Sequence, residues 1–213
     1  MSNQIDIVVG VDPGVYGGVS ILYKNGKIHV HRIPIGQVVI NKKNKKVYNL
    51  PAIAKLLKPL ENKKVLFVQE KVASHPGEGS VSAFSFGKSA GATIGMAFAL
   101  EFEVAEISSI NWKKYFPLLV NDEIRDKKEE TKQLRVLGKT LKDKKAKKEN
   151  KKQIDKLNRQ IKTISKTLAR ELAISLYPKL ADTLKQKNSD GMAESLLIAI
   201  YGRENKDELV QKC

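Results

Sequence analysis

Gln4-Ile-Asp-Ile-Val-Val-Gly-Val-Asp-Pro-Gly-Val-Tyr-Gly-Gly-Val-Ser20 is the stretch on which the reading of this chain turns. An apolar run from Ile5 to Val11 stops abruptly at Asp12-Pro13-Gly14. A run rich in β-branched residues and closed by Pro and Gly is a strand. Period-two alternation puts Asp12 on the same face as Asp6, Val8 and Gly10. Pro13 and Gly14 end the strand and hold the carboxylate at the turn. Gly17 to Tyr23 is β-rich again and follows at once, so the two segments pair as a hairpin. A carboxylate leaving the end of a buried strand has little water near it and needs a partner. A bound cation is one such partner, and a simple turn-capping role is the other reading.

The pattern continues outward from this hairpin. Lys27 to Pro34 alternates with period two and predicts a third strand, with His29 and His31 facing solvent beside Lys27. Residues 36–49 have no clear pattern and are expected to be a basic connection. Pro51 to Leu60 carries Ile53, Leu56, Leu57 and Leu60 at helical spacing. Lys64 to Glu70 is apolar on both faces, as a central strand covered by helices requires, and it too ends in an acid. Val72 to Ser80 has the composition of a loop. A helix is predicted from about Phe86 to Leu100, where Ala90, Gly91, Ala92, Gly95 and Ala97 permit close packing on the sheet or on a second subunit. Phe102 to Ile107 predicts a short strand. Ile110 to Phe116 predicts a short helix presenting Trp112, Lys113 and Lys114.

Residues 121–170 differ in kind. They hold 18 Lys/Arg against 8 Asp/Glu, which is ten of the chain's sixteen net positive charges. Ile154, Leu157, Ile161, Ile164 and Leu168 nonetheless follow the 3-4 spacing of a coiled-coil seam, and Leu134, Leu137 and Leu141 do so more briefly. Two antiparallel helices with a basic tip are expected, in preference to a disordered lysine-rich insert. Lys144, Lys145, Lys147 and Lys148 make up that tip. The second helix runs back into the core through Leu168 to Leu176 and closes at Tyr177-Pro178. A final helix starts near Ser189 or Asp190 and stops at Gly202. Asp190 and Glu194 are four apart, hence on one face and one turn separated. Two such acids repel, and a cation between them reverses the sign.

The totals narrow the classes. With 213 residues the chain can bury one good core and still carry an appendage. A net charge of +16 and a pI near 9.8 imply a polyanionic partner, nucleic acid before membrane. The single Cys213 rules out a disulfide framework and fits a reducing, intracellular compartment. Three His and one Cys disfavour a Cys/His zinc site. No signal peptide is read at Met1-Ser-Asn-Gln-Ile-Asp6, so secretion is not expected, and no apolar run reaches the roughly 18 residues of a membrane span.

Four acids thus have defined positions, Asp12 and Glu70 at strand ends and Asp190 and Glu194 on the last helix. Val11-Asp-Pro-Gly14, Val68-Gln-Glu-Lys-Val72, Phe84-Ser-Phe-Gly-Lys-Ser89, Trp112-Lys-Lys114 and Asp190-Gly-Met-Ala-Glu-Ser-Leu-Leu-Ile-Ala199 together resemble the RuvC-like Holliday junction resolvases. The resemblance is to the branch found in phages, large DNA viruses and chloroplasts, and it covers residues 5–120 and 167–203. It implies an α/β chain of the RNase H-like type, with a mixed five-stranded sheet flanked by helices. Residues 1–120 and 166–213 would form the resolvase core, and residues 121–165 an inserted basic helical hairpin. It further implies an endonuclease that cuts four-way DNA junctions as a homodimer, with two Mg²⁺ ions, or Mn²⁺ as substitute, held by Asp12, Glu70, Asp190 and Glu194. Such ions would lie roughly 4 Å apart. Two departures stand out. The last two acids are four apart where bacterial RuvC spaces them three apart, and Met192 stands where this branch usually has Arg.

Junction DNA is expected to be held mostly by its backbone. Phe84 and Phe86, beside Lys88, are candidates to wedge or stack at the unpaired centre, with a core role as the alternative. His75, Lys113, Lys114 and the hairpin-tip lysines are candidate phosphate contacts. Three other readings compete: a different RNase H-like nuclease acting on RNA–DNA hybrids or flaps, an actin-like ATPase, and a non-catalytic architectural DNA-binding protein. Four acids facing a polyanion would only repel it in an architectural protein, which argues against that reading.

Overall fold

The computed structural model describes residues 5–40, 42–74 and 79–210. Its centre is a five-stranded sheet built from β1 (Ile7–Asp12), β2 (Gly18–Tyr23), β3 (Ile28–Arg32), β6 (Val65–Glu70) and β7 (Glu103–Ile107), in the order β3-β2-β1-β6-β7. The first three strands form an antiparallel meander, with Ile7 opposite Tyr23 and Val19 opposite His31. β6 and β7 are added in parallel, with Ile7 opposite Val65 and Val68 opposite Ala105. An antiparallel meander extended by two parallel strands, with helices on both faces, is the RNase H-like mixed sheet.

Alternation along the strands sorts the core into two layers. Ile7, Val9, Val11, Val65 and Phe67 pack with Ile53 and Leu57 of α1 (Leu50–Leu57) and Ala97 of α2 (Ser80–Ala99). Val8, Leu66 and Val68 face the other way. They meet Trp112 of α3 (Ser109–Tyr115), Ala169 and Leu172 of α5 (Lys144–Leu176), and α7 (Asp190–Glu204), which is almost wholly buried. Helix α7 lies so close to β1 that a Cβ on Gly10 would fall 2.3 Å from the Ser195 carbonyl oxygen. The contact admits only glycine there. Buried polar side chains pair within both layers. Thr93 of α2 donates to Gln69 Oε1 at 2.6 Å and Gln69 donates to the Ala90 carbonyl at 3.2 Å, while the Ser20 and Ser195 hydroxyls meet at 2.8 Å. The short helices α6 (Ala181–Leu184) and α8 (Lys206–Val210) complete the second face.

Two elements depart from expectation. Residues 36–49 are not an unpatterned connection but an antiparallel ribbon, β4 (Ile35–Ile40) with β5 (Lys43–Tyr48), set apart from the main sheet. Helix α2 begins at Ser80, six residues before the predicted start, and Gly87, Gly91 and Gly95 lie on its open side. The basic segment does form two antiparallel helices, α4 (Asp122–Thr140) and α5. Their seam differs in detail: Ile124, Thr131 and Leu157 are buried, whereas Leu137 is 48% exposed and lies off it. Asn150, buried, donates to the Leu134 carbonyl at 3.0 Å and sits against Gly138, where a Cβ would fall 3.3 Å from its Oδ1. A single buried Asn of this kind fixes helix register.

Candidate active site

Asp12 is the last residue of β1 and Glu70 the last of β6. The strands are parallel neighbours with Val11 opposite Gln69, so both carboxylates leave the same end of the sheet, on the face covered by α7. In open α/β sheets the carboxyl ends of parallel strands are where sites assemble. Helix α7 adds Glu194, one turn beyond Asp190. A parallel bridge between Gly17 and Gly191 pins the start of α7 to the loop after β1. A Cβ on Gly191 would lie 2.2 Å from the Tyr16 carbonyl oxygen, so this junction also admits only glycine.

Asp12, Glu70 and Glu194 form one mutually repelling group. Burial first, then the charges of Glu194 and Glu70, push the Asp12 carboxyl well above its ordinary value, against the opposing pull of Lys113 and Lys166. Glu70 is also raised, chiefly by burial. The Trp112 indole donates to its Oε2 at 2.7 Å and with Lys113 holds it back in part. Lys113 Nζ stands 3.2 Å from Glu194 Oε1 and 4.8 Å from the centre of the Trp112 ring. Asp190 faces differently. Burial pushes it up, but Lys166, 3.0 Å from Oδ2, and Arg170 on Oδ1 outweigh that and hold it below its ordinary value. The Arg170 Nε–H is buried and finds no partner among the described residues.

The donor set suits a divalent cation. Carboxylates clustered in a partly buried site lack positive charge, and clustered carboxylate oxygens are the ligands Mg²⁺ and Mn²⁺ take. The ammonium groups of Lys113 and Lys166 meet part of that need. Among the described residues, no three or more His, Cys, Asp or Glu side chains are arranged so that they could hold a metal ion together, and Asp190 is engaged with α5 rather than gathered with the other three.

Two of these acids border a cleft of about 1090 Å³. Asp12 and Glu194 line it, together with Lys45 and Lys46 of β5, Lys88 of α2, and Lys162 and Lys166 of α5. Phe84, Phe86 and Lys88 are brought to this cleft as a set. Phe84 is 75% exposed, whereas Phe86 is partly buried and packs towards Gly14. Lys113 belongs to the acid cluster, and Lys114 is exposed beside it on α3. Trp112 is not presented to solvent as expected. It is fully buried beneath Glu70, because its indole completes both the core and a carboxylate hydrogen bond. Lys144, Lys145, Lys147 and Lys148 lie exposed in the first turns of α5, far along the chain from the acids. His75 lies outside the described residues.

Several site residues were not foreseen in the sequence: Lys166, Arg170, Lys45, Lys46 and Tyr48. The Tyr48 hydroxyl accepts from Gly14 N–H at 2.6 Å, which ties the β4–β5 ribbon to the loop carrying Asp12. Burial pushes this hydroxyl up to about 12. Lys166 and Arg170 are four apart on one side of α5, and that spacing beside the end of the seam was the available signal. The ribbon lysines gave none, since many exposed segments of this chain are lysine-rich.

No family model matches the sequence, and no curated protein does. Among solved structures, the chain is similar to Thermus thermophilus RuvC in complex with a Holliday junction substrate, at 12% identity and a TM-score of 0.45, covering 95% of this chain and 96% of that one. A second Thermus thermophilus RuvC structure is similar at 13% identity and a TM-score of 0.41, with 95% and 96% covered.

Proposed function

We propose that this protein is a metal-dependent, structure-selective DNA endonuclease that resolves four-way junctions by paired hydrolysis of phosphodiester bonds. One observation carries the reading. Three carboxylates that repel one another are gathered beside a cleft lined by five lysines, Lys45, Lys46, Lys88, Lys162 and Lys166. Acids at the edge of a polyanion-binding cleft weaken binding unless they serve chemistry. Asp12, Glu70 and Glu194 would hold a divalent ion, with Asp190 joining once Lys166 and Arg170 release it. Bound there, the ion supplies an activated water and offsets the phosphate charge.

The chain's own residues divide the remaining work. Trp112 orients Glu70 through its indole N–H, and Lys113 orients Glu194. The lysines of the cleft hold the backbone, and exposed Phe84 takes the wedging position at the branch. The symmetry of a four-way junction calls for two copies of the protein, one for each opposing strand. The open face of α2, with Gly87, Gly91 and Gly95, is the surface assigned to that pairing. The α4–α5 arm, with its tip lysines, grips an outer duplex.

The deciding experiment is cleavage of a labelled immobile four-way junction with Mg²⁺, native chain against Asp12→Asn, with duplex and single strands as controls. Paired nicks confined to the junction, lost in Asp12→Asn while binding persists, are expected. Binding without cleavage in either Mg²⁺ or Mn²⁺ would sink the enzyme reading in favour of an architectural one. Preferential cutting of an RNA–DNA hybrid would reassign the substrate.

A further inference from the structure

The cleft has one more aromatic lining residue, Tyr16, to which neither the acid cluster nor the Phe84 wedge gives a role. We propose that Tyr16, with the β4–β5 ribbon beside it, forms a stacking subsite for one unpaired nucleotide of the DNA strand at the acid cluster, and that Lys46 takes that nucleotide's phosphate. This rests on the DNA-cleaving reading of the cleft and adds the feature of the substrate that the site selects.

The tyrosine is held firmly and yet left open. The residue is 53% exposed. Its backbone lies between the Gly14–Gly17 turn, closed by a 2.9 Å hydrogen bond, and the Gly17–Gly191 bridge to α7. A large ring on so fixed a base loses little freedom on binding a flat partner, and meanwhile exposes apolar surface to water. Lys46 already lies against it, with Nζ 4.6 Å from the ring centre and 3.2 Å from the hydroxyl. A cation over a π-face marks the place where a base would stack, and the same ammonium lies within a side-chain swing of a phosphate. Lys45 lines the cleft next to it.

The position relative to the chemistry is set by the ribbon. Tyr48 accepts from Gly14 N–H, so β5 and the Asp12 loop are tied together and Tyr16 keeps its distance from Asp12. Phe84 and Phe86 of α2 line the same cleft. Several aromatic rings along a lysine-lined cleft are how sequence-tolerant single-strand sites are built, because every base has a π-face. A base inside a duplex has both faces covered by its neighbours. Only an unpaired or splayed nucleotide can occupy this subsite, as at the centre of a branch. The cleft volume exceeds that of the usual small-ligand pocket, about 300–1,000 Å³, and leaves space for the flanking phosphates.

The test uses four-way junctions carrying 2-aminopurine at successive positions around the exchange point, and the full chain bearing Asp12→Asn so that nothing is cut. In that background Tyr16 is left intact or changed to Phe, Leu or Ala, and Lys46 is changed to Gln. One 2-aminopurine position should respond to binding of the Tyr16 and Phe proteins and fall silent with Leu and Ala. Junction affinity should drop about tenfold for Leu and Ala while affinity for continuous duplex is unchanged. Lys46→Gln should lower the salt slope of junction binding by about one. Native junction affinity with unchanged 2-aminopurine signals in the Leu protein would overturn the subsite alone. Failure of the Tyr16-intact protein to prefer junction over duplex would overturn the function reading and the subsite with it. Tyr16→Leu keeps apolar bulk without a π-face, so the result stands even if the Ala protein folds poorly.

Discussion

Trp112 gives its one hydrogen-bond donor to Glu70, and few side chains here touch structure and chemistry so directly. Replacing it with Phe removes that bond and leaves a small void in a fully buried position. Glu70, already raised by burial, should rise further, so the acid limb of the cleavage profile in Trp112→Phe should move to higher pH. Thermal unfolding should show a loss of about 1–3 kcal/mol. An unmoved pH limb would mean that the indole only fills space. Asp12 makes a second prediction. Its pKa is above the ordinary 3.8, so the folded chain binds this proton more tightly than the unfolded one. The stability it contributes is present at low pH and is lost as pH rises through the folded value. Glu70 acts in the same direction, and Asp190, held low, in the opposite one. Without metal, Asp12→Asn should therefore melt above the native protein at pH 7, with the gap closing towards pH 4, and added Mg²⁺ should raise only the native melting temperature appreciably. Calorimetry across pH with and without Mg²⁺ checks both. Asp12 and Glu70 were legible in sequence because each ends an apolar strand. The cations that set their charge were not, because ion pairs between distant segments leave no periodicity.

At the scale of elements, what sequence showed and what it hid follows from burial. β1, β2 and β6 are buried on both faces or nearly so, and their apolar runs announce them. β4 and β5 expose most of their side chains, so Lys43-Asn-Lys-Lys-Val-Tyr48 carries no inside–outside alternation to read. Helix α2 was clipped in prediction because Gly87 and its serines are weak helix formers, and tertiary contacts such as the Thr93–Gln69 bond override that preference. The arm was legible as a hairpin, but its seam on α4 runs through Ile124, Thr131 and Gly138 and leaves the expected Leu137 outside. Removing residues 128–160 and joining the stubs with a short glycine-rich linker takes away the tip lysines but keeps Lys162, Lys166 and Arg170. Junction binding should weaken and its salt dependence flatten, by about one unit of slope for each phosphate no longer gripped, while cutting at saturating protein persists. Unchanged affinity and slope would reassign the arm to a spacer or protein-binding role.

For the whole molecule the prediction concerns pairing. Nothing lies within 4 Å of a Cβ built on Gly91, so Gly91→Arg fits the single chain without strain and should even favour the helix. Placed in a pairing surface, the same side chain would push two copies apart. Sedimentation should then show a dimer for the native chain and a monomer for Gly91→Arg, and paired nicks should give way to single ones. A monomeric native chain at micromolar concentration would count against α2 as the pairing face. Among the described residues, no helix is long and apolar enough to cross a membrane. The arm has one further consequence. Helix α5 is unbroken from Lys144 to Leu176, and it is the helix that carries Arg170 and Lys166 to Asp190. At about 1.5 Å per residue, Lys144 stands some 39 Å along the rod from Arg170. That is close to one turn of B-DNA, roughly 34–36 Å. On the proposed function, a duplex held at the far end of this helix and lying along it would meet the acid cluster a little over one turn away, and the rod that sets this spacing is the one whose Lys166 and Arg170 hold Asp190.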